Sequence, residues 1–533
     1  MKLKQLGIAV LVLGYLAAMI FAWSHVRGRT GKEQVTIRLS HWQLEGTVRE
    51  GLDAVARRYE QLHPEVKVEI LVVPETIYRQ WMRTQLVGDT APDLIEYTMF
   101  WGRIEELAPR YFTAITREVA KPNPYNRGTP LAGVPWRDTF LDGMNGPDGF
   151  NTLMREYYAP TIAMFTMRMF YNRTLLQEIT GRDEPPTTWR EFLALRAKVD
   201  AFARDHGRVV STVGNSWDNC RWMAEPVLHG MGSHFSAQLD HDHTLSLSYW
   251  EVSHGLIRGE WSFRTPEVAN GLAAFREIGN ASQPGFVQMR RDVAMLDFLR
   301  GHALMLCAGS WDASSLRHEA PFEVAAFRLP LPGKEDPEFG PLTLGPLSDG
   351  SVSTGTPFYL NKGSPHPEVA LDFLRFLTSV EGDQIFVDVS QWLPAIKHVR
   401  PTEFSRRFMP FYDGYNWGTS SYFSGTGVEM NMFFLQQMHL LFGRAGSVEA
   451  FQEEMDQNLA VYSSRDLQAH LRDSRVAFNG DDISGVARLR LTSDQQRLPA
   501  SPALLEAKYY QTQREVERAA QRSQSSVAPE VHP

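Results

Sequence analysis

The sequence predicts an α/β protein, and three features near its start support this. Alternating apolar residues in VTIRLSHW, beginning at Val35, are typical of a strand. An amphipathic helical pattern follows at residues 47–64, and two more strand-like stretches begin at Lys67 and Ala91 with a helical stretch between them. Strands that alternate with helices at this spacing pair in parallel through crossover connections.

Length and composition limit the class of protein. With 533 residues the chain is too long for one hydrophobic core, so two or three domains are expected. A hydrophobic content of 43% and a charged content of 22% are typical of a folded globular protein. The net charge of −8, without a long basic block, argues against nucleic acid as a partner.

The first 30 residues are typical of a targeting segment. MKLK is followed by an uncharged apolar stretch that ends at Trp23, which fits a signal peptide or an N-terminal membrane anchor. We therefore expect a periplasmic or other extracytoplasmic protein, whether the segment is cleaved or kept as an anchor. Cys220 and Cys307 are the two cysteines, and the sequence leaves open whether they pair.

Aromatic and acidic residues follow two of the predicted strands. Ligands of open parallel sheets bind beyond the carboxyl ends of the strands. Trp42 and Glu45 follow the first predicted strand, and Trp101 follows the third. Two tryptophans at two strand ends are more than a turn needs, so these residues are predicted to bind ligand. The alternative for each ring is that it caps the core.

A second pair of stretches has the same character later in the chain. The apolar run FLRGHALMLCAGSW predicts a strand that stops at Gly309, directly before Trp311 and Asp312. Trp217 and Asp218 lie in a polar stretch that leads into a predicted helix. The competing interpretations are a core tryptophan for the first ring and a surface-loop tryptophan for the second.

Five motifs in order resemble one protein family. They are GDTAPDLI, the Tyr171-Asn172-Arg173 triplet, PPTTW with Glu191 and Phe192, FLRGHALMLCAGSWD, and LNKGSPHPEVALDFLRFLTSVEGDQIFVDVSQWLPAIK. Together, from about residue 35 to 400, the chain resembles extracellular solute-binding proteins of family 1, the maltose-binding type that serves ABC importers.

The resemblance implies a two-lobed, periplasmic-binding-protein-like fold of type II with crossover hinge strands. The implied first lobe combines residues 35–159 and 326–396, and the second combines 160–325 and 397–498. Residues 499–533, which are predicted to form a polar helix and a disordered tail, lie beyond the family pattern. The lobes are expected to close on a ligand in the cleft between them.

The resemblance also implies a function. The protein is expected to capture a sugar or oligosaccharide and deliver it to a membrane permease, as a monomer without cofactor, metal or catalytic residues. Aromatic rings cover the apolar faces of sugars, and carboxylates accept hydrogen bonds from their hydroxyls. In the family the Gly-Ser-Trp strand ends at the cleft, so Trp311 would offer its ring to the ligand while Gly309 allows close approach.

Other functions remain open on the same fold. The ligand could be a polyamine, a glycerol phosphate or ferric ion, or the protein could act as a sensor lobe. His241, Asp242 and His243 form a weak metal-binding pattern because no further partner follows at a typical spacing. An exported glycoside-active enzyme is less well supported, since no carboxylate pair is spaced for that role and no catalytic motif is present.

Overall fold

A computed structural model describes residues 34–43, 45–98, 104–146, 148–151, 154, 156–240, 249–343, 354–411, 427–442 and 445–466. The chain forms two compact units, Met1–Phe165 with Val352–Met409 and Thr166–Ser351 with Pro410–Pro533. These limits differ from the expected lobes at residues 326–351, because a strand at Val324–Phe327 pairs with the second unit's sheet. They also differ at residues 160–165 and 397–409, which belong to the first unit.

The strands of the described residues are, in chain order, β1 (Val35–His41), β2 (Val66–Val72), β3 (Leu94–Glu96), β4 (Phe150–Asn151), β5 (Glu156–Tyr157), β6 (Thr161–Met164), β7 (Met167–Asn172), β8 (Ser211–Gly214), β9 (Ala303–Gly309), β10 (Val324–Phe327) and β11 (Thr354–Leu360).

The α-helices are α1 (Gly46–Leu62), α2 (Glu75–Val87), α3 (Ile104–Tyr111), α4 (Thr116–Val119), α5 (Arg173–Thr180), α6 (Trp189–His206), α7 (Trp217–Met231), α8 (Ser233–Leu239), α9 (Tyr249–Arg258), α10 (Pro266–Asn280), α11 (Arg291–Leu299), α12 (Ala313–Glu319), α13 (Pro367–Leu377), α14 (Val380–Ser390), α15 (Glu403–Arg406), α16 (Val428–Gln436) and α17 (Met438–Phe442). A further helix covers residues 448–466. None of the helices described is both long and apolar enough to cross a membrane.

The first unit is built on a five-stranded sheet in the order β2-β1-β3-β11-β6. β1 pairs in parallel with β2 and with β3, which confirms the predicted strand–helix–strand–helix–strand arrangement. β11 is antiparallel to both β3 and β6, so the sheet is mixed. α1 buries its apolar face, including Val48, Leu52 and Tyr59, as its periodicity predicts.

The second unit has a four-stranded sheet in the order β10-β7-β9-β8. β7 is antiparallel to β9 and β10, whereas β8 and β9 are parallel. Every residue of β9 is buried, which confirms a strand in the apolar run before Gly309. Leu304, Met305 and Cys307 of this strand belong to the same hydrophobic core as Phe275 of α10 and Met223 of α7.

The Pro- and Gly-rich stretch at residues 121–150 is mostly irregular, but part of it is buried. Two 3₁₀ turns, Pro124–Asn126 and Trp136–Thr139, interrupt it. Trp136 is completely buried, and its indole N–H donates to the Thr378 hydroxyl at 3.0 Å. This stretch therefore contributes to the core of the first unit.

The start of α6 shows how local sequence sets a helix boundary. The Thr188 hydroxyl accepts the Glu191 N–H and so caps the helix. The Glu191 carboxylate accepts hydrogen bonds from the backbone N–H and the hydroxyl of Thr187. The PPTTW motif with Glu191 therefore fixes the first turn of α6.

Candidate functional site

In the first unit, the carboxyl ends of β1 and β3 bring polar and aromatic side chains together. Trp42, the residue after β1, is half-buried and packs its ring edge-on against Tyr78, with ring centroids 5.3 Å apart. The Tyr78 hydroxyl lies 2.8 Å from that of Ser40, so the tyrosine is itself fixed to β1. The ring of Trp42 is therefore held in place while part of its surface stays accessible.

Glu96, the last residue of β3, is the polar centre of this strand-end face. It is completely buried. Its Oε2 accepts the backbone N–H of Trp42 at 3.2 Å, and its Oε1 accepts the side-chain amide of Gln43 at 2.8 Å. Burial raises the pKa of the Glu96 carboxyl; these two hydrogen bonds oppose the rise, and the charges of Glu45 and Asp148 add to it. Neither Glu96 nor Gln43 was among the residues predicted to bind ligand.

The other predicted residues of the first unit have different positions. Glu45 directly precedes α1, where its carbonyl accepts the Val48 N–H at 3.0 Å, and its side chain is half-buried. It lies close enough to Glu96 to affect the pKa of that carboxyl. Trp101 lies outside the described residues. Trp42 and Glu45 thus lie on the same face, and the ligand-binding role of Trp101 stays a prediction.

His41, the last residue of β1, is another polar group at this strand end that was not predicted from the sequence. Its ring is completely buried, and neither ring nitrogen has a hydrogen-bond partner among the described residues. Burial, with a smaller contribution from the positive charge of Arg49, lowers the pKa of His41 to about 4. At neutral pH the ring is therefore uncharged.

In the second unit, β9 ends at Gly309 and continues into a 3₁₀ turn, Ser310–Asp312. The half-buried Trp311 ring lies over Gly309, where a Cβ would overlap it. The Trp222 ring of α7 meets Trp311 edge-on, with centroids 5.7 Å apart. Gly309 therefore accommodates the Trp311 ring, a role that the sequence did not predict.

Asp312, the last residue of this turn, is buried. Its Oδ2 lies 3.8 Å from the guanidinium of Arg291, at the start of α11. The turn is tied to the residue before β7, because Ser310 and Thr166 exchange hydrogen bonds: the Ser310 N–H donates to the Thr166 carbonyl, and the Thr166 N–H donates to the Ser310 hydroxyl. The Trp311 side chain is thus carried by a well-anchored backbone.

Trp217 and Asp218 begin α7. The half-buried Trp217 ring packs on Phe275 and Phe434, with centroid distances of 5.9 and 6.5 Å. The Asp218 side chain is 53% exposed and lies 4.0 Å from Arg221, one turn along the helix. These contacts favour a packing role for Trp217, whereas Asp218 remains accessible.

The start of α7 is also tied to β9 by polar residues. Ser216 and Asn219 form a reciprocal capping box, and the Asn219 amide donates to the Cys307 carbonyl at 2.6 Å. Asn215 is completely buried and donates to the Ser282 hydroxyl at 2.7 Å. The strand end that carries Trp311 and the helix that carries Trp222 therefore form one rigid support.

Cys220 and Cys307 are both free and buried, which answers the pairing question left open by the sequence. Burial raises the pKa of both thiols.

Trp392 is buried in the first unit, with its ring against Phe165 and Phe386.

The weak metal-binding pattern at residues 241–243 lies outside the described residues. Among the residues that the structure describes, no group of three or more His, Cys, Asp or Glu side chains could hold a metal ion.

Solved structures with the same fold support the two-unit architecture. RafE from Streptococcus pneumoniae, in its apo form, aligns with a TM-score of 0.55 at 15% identity over 82% of this chain and 100% of its own. The GacH receptor of Streptomyces glaucescens gives 0.55 at 14% identity over 81% and 99%. Maltose-bound MalE3 of T. maritima gives 0.52 at 17% identity over 80% and 99%. No curated protein matches the sequence.

These likenesses confirm the α/β, periplasmic-binding-protein-like fold that the motifs implied. The sequence profile of the bacterial extracellular solute-binding proteins matches residues 45–384, which includes α1, β3, the whole of β9 and the start of α14. The match covers well over half of the chain and includes Glu96 and Trp311, whereas Trp42 lies just before it. The chain belongs to the bacterial extracellular solute-binding protein family.

Proposed function

We propose that this protein is the extracytoplasmic substrate-binding component of an ABC importer and that its ligand is a sugar or oligosaccharide. The observation that carries the proposal is a half-buried tryptophan beside buried polar groups at a strand end in each unit. These are Trp42 with Glu96 in the first unit and Trp311 with Asp312 in the second.

The chemistry of both faces suits a neutral polyhydroxylated ligand. A tryptophan ring that is fixed at one edge leaves a flat apolar surface for the C–H face of a pyranose. The side chains of Gln43 and Glu45 supply hydrogen-bonding groups next to Trp42, and Asp218 supplies an exposed carboxylate in the second unit. A buried polar group left unpaired costs about 1–3 kcal/mol, so such groups discriminate between similar sugars.

Structural relatives support this ligand class. RafE has been solved with raffinose, GacH with acarbose and MalE3 with maltose, and another relative is a chitin oligosaccharide binding protein. Each binds a carbohydrate or a carbohydrate-like molecule. Three points remain predictions: one ligand contacts both units, the N-terminal segment anchors the chain, and a permease receives the ligand.

A thermal-shift screen of the purified protein tests the ligand class. The panel contains raffinose, maltose, chitooligosaccharides and xylo-oligosaccharides, with spermidine, glycerol 3-phosphate and ferric citrate as the competing classes. A ligand at 100 times its dissociation constant adds about 2.7 kcal/mol to the free energy of unfolding, which raises the melting temperature measurably. We expect at least one sugar to do so. A shift with only spermidine, glycerol phosphate or ferric ion would contradict the proposal.

A further inference from the structure

We propose that Glu96 is a positioning residue that sets sugar affinity by holding Trp42 and Gln43 in their binding arrangement. This inference rests on the proposed function, because it assumes that the Trp42 face contacts the ligand. Glu96 itself is completely buried and is not expected to touch the sugar.

The hydrogen bonds of Glu96 show how it acts. Its two carboxyl oxygens accept from two consecutive residues, the backbone of Trp42 and the side chain of Gln43, at 3.2 and 2.8 Å. These residues form the chain directly after β1, where regular strand hydrogen bonding has ended. Glu96 thus extends the β1–β3 pairing through a side chain, and it fixes the backbone that carries the Trp42 ring.

A second contact holds the other end of the same residue. The Trp42 ring meets the Tyr78 ring at a centroid distance of 5.3 Å, and the Tyr78 hydroxyl is hydrogen-bonded to Ser40 of β1. Trp42 is therefore held at its backbone by Glu96 and at its ring by Tyr78. A side chain that is ordered before binding loses less entropy when the ligand arrives, so its contact contributes more to affinity.

The surroundings of Glu96 make the carboxyl sensitive to its partners. Gln43 and the Trp42 N–H face it from the chain after β1, while Glu45 and Asp148 approach as like charges and Tyr78 lies close to it. A buried carboxyl with these neighbours depends on its two donors for compensation. Removal of both hydrogen bonds should free the backbone of Trp42 and the side chain of Gln43 without disrupting the hydrophobic core, because an apolar side chain suits a buried position.

Three variants test the inference, with affinity measured by titration calorimetry for whichever panel sugar binds the wild type. Glu96→Leu removes both acceptors and should weaken sugar binding at least tenfold. Glu96→Gln keeps both contacts, since its amide oxygen accepts the Trp42 N–H and its NH2 group donates to the Gln43 amide oxygen once that amide turns over; it should retain affinity within about threefold of wild type. Glu60→Leu is the matched control, because Glu60 holds the Val68 N–H at 2.9 Å elsewhere in the same unit. It should leave affinity unchanged.

The possible outcomes separate this inference from the proposed function. If wild-type protein binds a sugar and Glu96→Leu binds it equally well, the positioning role is wrong and the function stands. If Glu96→Gln folds but loses as much affinity as Glu96→Leu, the hydrogen-bonded geometry is not what matters and the inference also fails. Should Glu96→Leu not fold, Glu96→Gln alone decides: affinity within about threefold of wild type supports the inference, and a tenfold loss contradicts it. Wild-type protein that binds none of the sugars overturns the function, and the inference with it.

Discussion

Replacement of Trp311 by alanine tests whether this ring binds ligand or only stabilises the fold. Trp311 is half-buried, rests on Gly309 and meets Trp222 edge-on at 5.7 Å. Loss of a fully buried tryptophan costs about 3–5 kcal/mol, and an aromatic pair contributes about 0.5–1.5 kcal/mol. For a ring that is only half-buried, we expect apo Trp311→Ala protein to lose about 2 kcal/mol of unfolding free energy.

The expected effect on binding is of a different kind. If the exposed part of the ring covers a sugar face, its removal should weaken affinity at least tenfold, which corresponds to about 1.4 kcal/mol. Trp217→Ala is the comparison, since that ring packs on Phe275 and Phe434 in the same unit. It should lower apo stability by at least as much as Trp311→Ala and leave affinity within about threefold of wild type.

Urea denaturation of the apo proteins and titration calorimetry with the sugar measure the two effects separately. Trp311→Ala protein that binds the sugar as tightly as wild type would refute the ligand-binding role. So would a Trp217→Ala protein that loses more affinity than Trp311→Ala, because the two rings would then have exchanged their inferred roles.

Three further predictions concern the scaffold. Burial raises the pKa of the Asp383 carboxyl from about 3.8 to about 8, so the unfolded chain ionises before the folded one, and stability should fall as pH rises from about 4 to 8. Asp383→Asn, which keeps an acceptor for the two backbone N–H groups of residues 395 and 396, should flatten that slope in melts at several pH values; an unchanged slope would exclude this carboxyl as its source. Gly309→Ala should displace the Trp311 ring and weaken sugar binding at least tenfold, whereas unaltered affinity would mean that the ring can move freely. Cys220 and Cys307 should resist a thiol reagent in native protein and react in denaturant, because burial suppresses the thiolates; rapid native labelling would contradict their burial.

The parallel part of the first unit was predictable because its signals are local. β1, α1, β2, α2 and β3 follow one another, and each carries its own periodicity. β11 enters the same sheet from more than 200 residues downstream and runs antiparallel, which no local pattern indicates. The limits of the two units differ from expectation for the same reason, since pairing of β10 with β7 is a long-range contact.

The candidate site was predictable where aromatic residues follow strands and unpredictable where partners come from elsewhere. Trp42 and Trp311 follow apolar runs, so their positions at strand ends could be predicted. Glu96 is the last residue of a short strand, and its importance depends on the β1–β3 register, which places it beside Trp42 and Gln43. Trp222 lies within a helix, and only the fold brings it to Trp311.

Both candidate rings are supported by residues that need not touch the ligand. Trp42 is held by Glu96 and Tyr78, and Trp311 by the space over Gly309 and by Trp222. A ring held in this way keeps the same orientation before and after binding, so the scaffold determines how much of the contact energy appears as affinity. Substitutions in these supports should therefore change how tightly a sugar is bound while every ligand-contacting residue stays the same. The identity of the sugar, by contrast, should depend on the polar groups beside the rings, because an unmatched buried hydrogen bond costs more than an imperfect stacking contact.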